Sequence, residues 1–214
     1  SFLPSKLYDM GVAPNPRRVR IFLAEKGIEV EREEIDIPSG GNLSPAFLAV
    51  NSRGVVPTLV LDDGTVIDES MAICRYFEVL HPAPSLFGRT AIEQATIESW
   101  QRRCEFDGMF AVAGIFRNRS PNFAMRAMPG NNPPLAQSAE LAARGEVLTA
   151  HFLDRLEERL LASPFVAGDT YSVADITALV TVDFARWVKI RVPATNTATT
   201  AWYAAVSARP SATA

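Results

Sequence analysis

Apolar and polar positions change rhythm near residue 80. Before it, short segments with strand and helix patterns alternate. Lys6-Leu7-Tyr8 predicts a short strand, and Pro16–Lys26 predicts a helix with Val19, Ile21, Phe22 and Leu23 apolar and Gly27 ending it. Acidic and apolar residues alternate over 30–37, as in a half-buried strand. A short helix is expected at Pro45–Val50. Strands at 58–61 and 65–67 flank Asp62-Asp63-Gly64, a hairpin signal, and a last helix is expected at Ser70–Leu80. The order is βαβαββα, which predicts a mixed four-stranded sheet with helices on both faces.

After a proline-rich stretch, strand signals nearly vanish. Residues 92–116 place Ile97, Trp100, Cys104, Met109 and Ala113 at helical spacing. Leu148, Phe152, Leu156 and Leu160 recur every fourth residue and predict one apolar stripe. Ser172-Val173-Ala174-Asp175 reads as a capping box opening a helix through Ile176, Leu179, Val180, Phe184 and Trp187. A last helix is expected over 199–208, and a loop at Met128–Pro134. The expected organisation is an α+β domain over 1–81, a linker over 82–89 and an all-α helical bundle over 90–214.

Composition narrows the function class. Of 214 residues, 48% are hydrophobic and 21% charged, an ordinary globular balance, and the net charge of -3 argues against a nucleic-acid partner. No apolar run approaches a membrane span, and Ser1–Pro4 is too short for a secretory leader. Cys74 and Cys104 fall in helical patterns without a CxxC, which reads as buried free thiols and a cytoplasmic setting. His81 and His151 have no ligand-spaced partners, so no metal site is expected. Neither a dinucleotide fingerprint nor a P-loop is present.

Candidate chemistry lies at Val55-Val56-Pro57 and Glu69-Ser70. Proline at the start of a buried strand forfeits a ladder hydrogen bond. A cis peptide there would turn the N–H and C=O of Val56 toward a peptide-like ligand. An acid and a hydroxyl opening a helix can hold a carboxylate and an amine.

NLSPAFLAVNSRGVVPTL (42–59), DDGTVIDESMAICRYF (62–77) and SVADI (172–176), in this order, resemble the cytosolic glutathione S-transferase family, nearest its bacterial nu-like or theta-like classes. The resemblance implies a thioredoxin-like first domain, glutathione as co-substrate and a homodimer in the cytoplasm. The implied reaction is attack of the glutathione thiolate on a small hydrophobic electrophile, or glutathione-dependent reduction of a peroxide or disulfide. It implies that Glu69 faces the γ-glutamyl ammonium and that Ser70 gives its hydroxyl and N–H to the carboxylate. Val56, before Pro57, would pair with the cysteinyl unit. Asn42 falls near the glycyl carboxylate. Many relatives have lysine where this chain has Val55, and Arg53 is the candidate replacement cation.

The thiolate needs a helper, since a free thiol has a pKa of about 8.5. Ala13 stands where relatives place serine or cysteine, so a protein mixed disulfide at that position is excluded. Asn15 matches an asparagine of nu-class members, with the helix N-terminus and Tyr8 as the other candidates. Asn15 also suits an N-cap followed by Pro16. Arg17, Arg18 and Arg20 are expected to pair with carboxylates. Met10, Met109, Phe110 and Ala113 are candidate walls for the second substrate, between the two halves. The departures at Ala13 and Val55 also suit a binding protein that kept the fold and lost the catalyst.

Overall fold

The computed structural model describes residues 5–214, so Ser1–Pro4 lie outside the described part. Two compact units emerge. One runs to Pro84 and adds Ser120–Gln137 and Ala214; the other joins Ser85–Arg119 to Ser138–Thr213.

The first unit is a four-stranded sheet with three helices: β1 (Ser5–Asp9), α1 (Pro14–Lys26), β2 (Glu31–Glu34), α2 (Pro45–Val50), β3 (Thr58–Leu61), β4 (Val66–Asp68) and α3 (Ser70–Leu80). The strand order is β2-β1-β3-β4, with β1 parallel to β2 and the other pairs antiparallel. The expected thioredoxin-like order is present. Leu7 lies opposite Leu59 and both are fully buried, so the two middle strands carry the core. α1 packs on α3, with Val19, Ile21, Phe22, Ile73 and Phe77 excluded from water. The ring of Tyr8 meets Phe47 of α2 edge-on at 5.5 Å. Gly27 ends α1 at φ 68, a conformation that glycine adopts without a Cβ clash.

β2 differs from its expected half-buried alternation over 30–37. It spans Glu31–Glu34 and all four residues are exposed. It is an edge strand with one neighbour, and its charges blunt the open edge.

The second unit is helical: α4 (Ala91–Arg103), α5 (Phe110–Arg119), α6 (Ala139–Ala162), α7 (Val173–Ala185) and α8 (Thr197–Ser207). The single helix expected over 92–116 is interrupted by a π-helical segment, Cys104–Met109, which advances the buried face by one residue. Within it Gly108 packs closely, since an added Cβ would lie 2.8 Å from Phe152. The stripe of α6 also differs. Leu148 is 45% exposed, while Ala142, Gly145, Thr149, Phe152, Leu156 and Leu160 are buried. Steps of four drift about 40° per turn on a helix of 3.6 residues, so a strict fourth-residue row leaves the core face.

α7 is buried on nearly every side, as a central helix should be. Its expected capping box is present. Asp175 accepts hydrogen bonds from Ser172 N, Val166 N and Trp202 Nε1, each at 2.9 Å. Burial pushes the Asp175 carboxyl up to about 6 although these donors pull the other way. Both cysteines are free and buried, and burial raises their thiols further from ionisation. Among the described residues no helix is long and apolar enough to cross a membrane.

Candidate functional site

The turn from β1 into α1 is pinned from two sides. Arg20, buried, donates to Asp9 Oδ1 at 2.6 Å, Gly11 O at 2.8 Å and Met10 O at 3.3 Å. Gly11 N donates to Glu34 Oε1 at 2.7 Å. Of the arginine cluster, Arg20 thus pairs with a carboxylate as expected. Arg18 donates to the amide oxygen of Asn15 at 2.8 Å.

α1 begins two residues earlier than expected. Its N-cap is Ala13, which has no capping side chain, and Asn15 is the second helical residue rather than the cap. The first three helical residues are Pro14, Asn15 and Pro16, so prolines remove two of the three N–H groups of this terminus. The expected cluster of free backbone donors shrinks to the N–H of Asn15. The Asn15 side chain is exposed, and Arg18, which has donors only, fixes its amide oxygen inward. The Nδ2 donors are left for another acceptor.

The N-terminus of α3 lies beside that of α1. Ser70, 3% exposed, donates its hydroxyl to Asn15 O at 3.0 Å. Its proton is therefore used inside the fold, and an anion at this terminus would meet backbone N–H groups. The N-cap Glu69 gives no side-chain cap. Within this unit α2 is capped by Ser44, so the two uncapped helices are the two joined here. Glu69 adopts φ 71, ψ 123, unusual for a residue with a Cβ and worth about 1–3 kcal/mol of strain.

A polar network fastens Glu69. Arg53 donates to Glu69 Oε1 at 3.1 Å and to Asp68 Oδ2 at 2.7 Å, and these bonds raise its already high pKa. Asn51 Nδ2 reaches Asp68 Oδ2 at 3.1 Å and Thr58 Oγ1 at 3.0 Å. Thr58 Oγ1 donates to Val55 O at 2.7 Å. Arg53, read from sequence as a cation for the glycyl end, is here held by two acids.

The Val56–Pro57 peptide is cis. Among the described residues neither the N–H nor the C=O of Val56 takes part in a backbone hydrogen bond. Asn42 is 2% exposed; its Nδ2 donates to Gly54 O at 2.8 Å, and its Oδ1 accepts from Arg126 at 3.3 Å. Tyr8 lies in the sheet between Phe47 and Lys6, whose Nζ is 5.4 Å from the ring centre. Met10 is half-buried.

In the helical unit, Met109 is 2% exposed while Phe110 is 54% exposed and stacks edge-on with Phe106. Ala113 packs on Val112, Phe184 and Ala185. Phe116 joins Phe184 and Trp187, two residues of the periodic pattern, in a mutual edge-to-face group. Asn51, Asp68 and Arg126 escaped the sequence reading. Asp68, a second acid directly before the Glu-Ser pair, was the one local signal.

Residues 12–80 match the family model "Glutathione S-transferase, N-terminal domain", and residues 114–210 match "Glutathione S-transferase, C-terminal domain". Glutathione S-transferase 2 of Saccharomyces cerevisiae is 37% identical over 207 residues, 96% of this chain and 86% of that protein. The crystal structure of Gtt2 from the same yeast superposes with a TM-score of 0.88 at 36% identity, covering 96% of this chain and 97% of the other. A glutathione S-transferase of class Gtt2 from Vibrio parahaemolyticus superposes with a TM-score of 0.82 at 36% identity, covering 96% and 94%.

Proposed function

We propose that this chain, which belongs to the glutathione S-transferase family, holds glutathione extended along the sheet unit and activates its thiol at Asn15. The γ-glutamyl ammonium faces Glu69. The adjoining carboxylate takes the uncapped N-terminus of α3, where helix N–H groups and dipole favour an anion. The cysteinyl unit pairs with the free N–H and C=O of Val56, as an added strand would. One observation carries this reading. The Ser70–Asn15 hydrogen bond ties the two uncapped helix starts together, so a carboxylate site and a thiolate site lie side by side.

The chemistry asked of the protein is small. The thiol loses its proton to solvent, and the resulting thiolate is stabilised by the Asn15 N–H and Nδ2–H donors. Arg18 fixes the amide so that donors, not the oxygen, face the sulfur. The thiolate then forms a bond to the electrophilic centre while the leaving group departs with the electron pair. The same thiolate would attack one sulfur of a mixed disulfide, forming a new disulfide and releasing the other sulfur as a thiolate. On a peroxide it would attack one oxygen, forming a sulfenic acid and releasing an alcohol or water, after which a second glutathione condenses with the sulfenic acid to give a disulfide and water. Binding both reactants together supplies much of the rate.

The test is calorimetric titration with glutathione, followed by turnover on aryl halides, peroxides and mixed disulfides. Binding with turnover on one class supports an enzyme of that class. A second reading is favoured by Ala13 and by the single backbone donor of the α1 terminus: a glutathione-binding protein without catalysis. It predicts thermal stabilisation by glutathione and no turnover anywhere on the panel. Two buried thiols suit a reducing compartment such as the cytoplasm. A homodimer, the usual state of the family, is tested by light scattering.

A further inference from the structure

The segment Ser120–Gln137 lies in sequence between α5 and α6, yet it groups with the sheet unit. It is an ordered loop closed on itself. Gln137 Nε2 donates to Ser120 O at 2.6 Å, Ala127 N to Leu135 O at 3.1 Å and Leu135 N to Met125 O at 3.0 Å, while Phe123 is buried.

This strap grips the loop that carries Arg53. Asn131 N donates to Arg53 O at 2.7 Å, and Asn131 Nδ2 donates to Ser52 O at 3.1 Å. The next carbonyl, Gly54 O, is held by Asn42, which is backed by Arg126 of the strap. Arg126 also donates to Ile37 O at 3.1 Å. Three consecutive carbonyls are thus held by side chains or backbone of the strap or through Asn42. Gly130 makes the approach possible. It adopts φ 94, and a Cβ there would lie 2.8 Å from Arg53 O and 3.1 Å from Val55 Cγ1.

We propose that the strap is the positioning element of the γ-glutamyl site, with Asn131 and Gly130 setting where the Arg53 guanidinium lies and thereby the orientation of Glu69. The inference rests on the reading that glutathione's γ-glutamyl group binds at Glu69. The chemistry follows from the geometry. Arg53 is half-exposed and, among the described residues, fastened at its tip by Asp68 and Glu69, so its backbone must be fixed for the guanidinium to hold Glu69 in one place. Asn131 supplies that fixation with two hydrogen bonds to adjacent carbonyls. It touches neither carboxylate itself, so it acts through Arg53.

The test uses the full chain with Asn131→Ala, Gly130→Ala, Arg53→Ala and the Arg53→Ala/Asn131→Ala pair. Amide hydrogen exchange over 52–56 is measured without ligand, and glutathione affinity, KM and kcat are measured on the same samples. Expected for Asn131→Ala is about tenfold faster exchange over 52–56 with α7 unchanged, the effect of losing one hydrogen bond in a clamp. Glutathione KM should rise about fivefold or more while kcat falls less than twofold, and the effect on affinity should vanish in the Arg53→Ala background. Unchanged exchange, or an equal loss of affinity with and without Arg53, overturns the proposal. Absence of glutathione binding in the unaltered chain would instead overturn the functional reading, and the exchange measurement would still decide whether the strap holds the loop. Should Gly130→Ala fail to fold, Asn131→Ala, which keeps its backbone N–H bond, carries the test alone.

Discussion

At the scale of single residues, the turn into α1 concentrates the catalytic question on one side chain. Two prolines strip the helix start of N–H groups, and Ala13 offers neither hydroxyl nor thiol. Asn15 holds the remaining backbone donor and an amide turned by Arg18. Replacing Asn15 with alanine is expected to lower kcat/KM by about tenfold to a hundredfold, the range for losing one donor to a developing anion. Glutathione affinity should change little. Because a donor favours the charged thiolate, its loss should also move the pH-activity profile to higher pH. An unshifted profile with unchanged rate would remove the side-chain role. Glu69→Gln keeps the size of the side chain but loses the charge that we propose faces the γ-glutamyl ammonium. Affinity for glutathione should fall about tenfold, in line with a charged hydrogen bond, as read by calorimetry. The fold should survive, since the Glu69 side chain is 66% exposed.

At the scale of elements, α7 and the α5–α6 contact carry the clearest energetics. Asp175 has a folded-state pKa of about 6 against an ordinary carboxyl value of 3.8. Folding therefore takes up a proton between these values. The contribution of this group to stability is fully present below about pH 4 and is lost as pH rises through 6, by roughly 3 kcal/mol for two units. Asp175→Asn should abolish that falling component when unfolding free energy is compared between pH 4 and 7. The variant should also be less stable throughout, because one amide oxygen cannot serve three donors. Two glycines make an opposed pair. At Gly145 a Cβ would lie 2.7 Å from Ala111 O and from Ile115 Cγ1, whereas at Gly114 nothing lies within 4 Å. Gly114→Ala should stabilise by up to about 1 kcal/mol through helix propensity. Gly145→Ala should lose more than that same gain, since overpacking against a backbone oxygen costs about 1–3 kcal/mol. Thermal melts that move in the same direction would refute the contrast.

At the scale of the whole molecule, the chain crosses between its units more than once. The sheet unit recruits Ser120–Gln137 from beyond α5, and Arg20 donates to the carbonyl of Ala214 at 3.3 Å. A fragment ending at Pro84 would lack Phe123, Arg126 and Asn131. It should melt lower and bind glutathione at least about tenfold more weakly than the full chain, as the loss of buried Phe123 and of the hydrogen bonds from Arg126 and Asn131 implies. Equal affinity in the fragment would show that the inserted segment contributes nothing to the site.

The order of elements was legible in the sequence because it depends on local rules. The βαβαββα order, the Asp-Asp-Gly hairpin, the stop at Gly27 and the Ser172–Asp175 box are written within a few neighbouring residues each. Membership of the family was legible as a motif around Val56-Pro57 and Glu69-Ser70 for the same reason. What tertiary structure alone decided depends on residues far apart in the chain. Nothing local says that Arg53 will lie against Asp68 and Glu69, that Ser70 will spend its proton on Asn15, or that Asn131 will hold Arg53. Nor does periodicity reveal the π turn at Cys104–Met109, within which Gly108 meets Phe152 of another helix. Local sequence sets the elements, since backbone propensity and capping act over one turn. The partners of polar side chains are set by packing, since burial requires each donor to find an acceptor wherever the fold brings one.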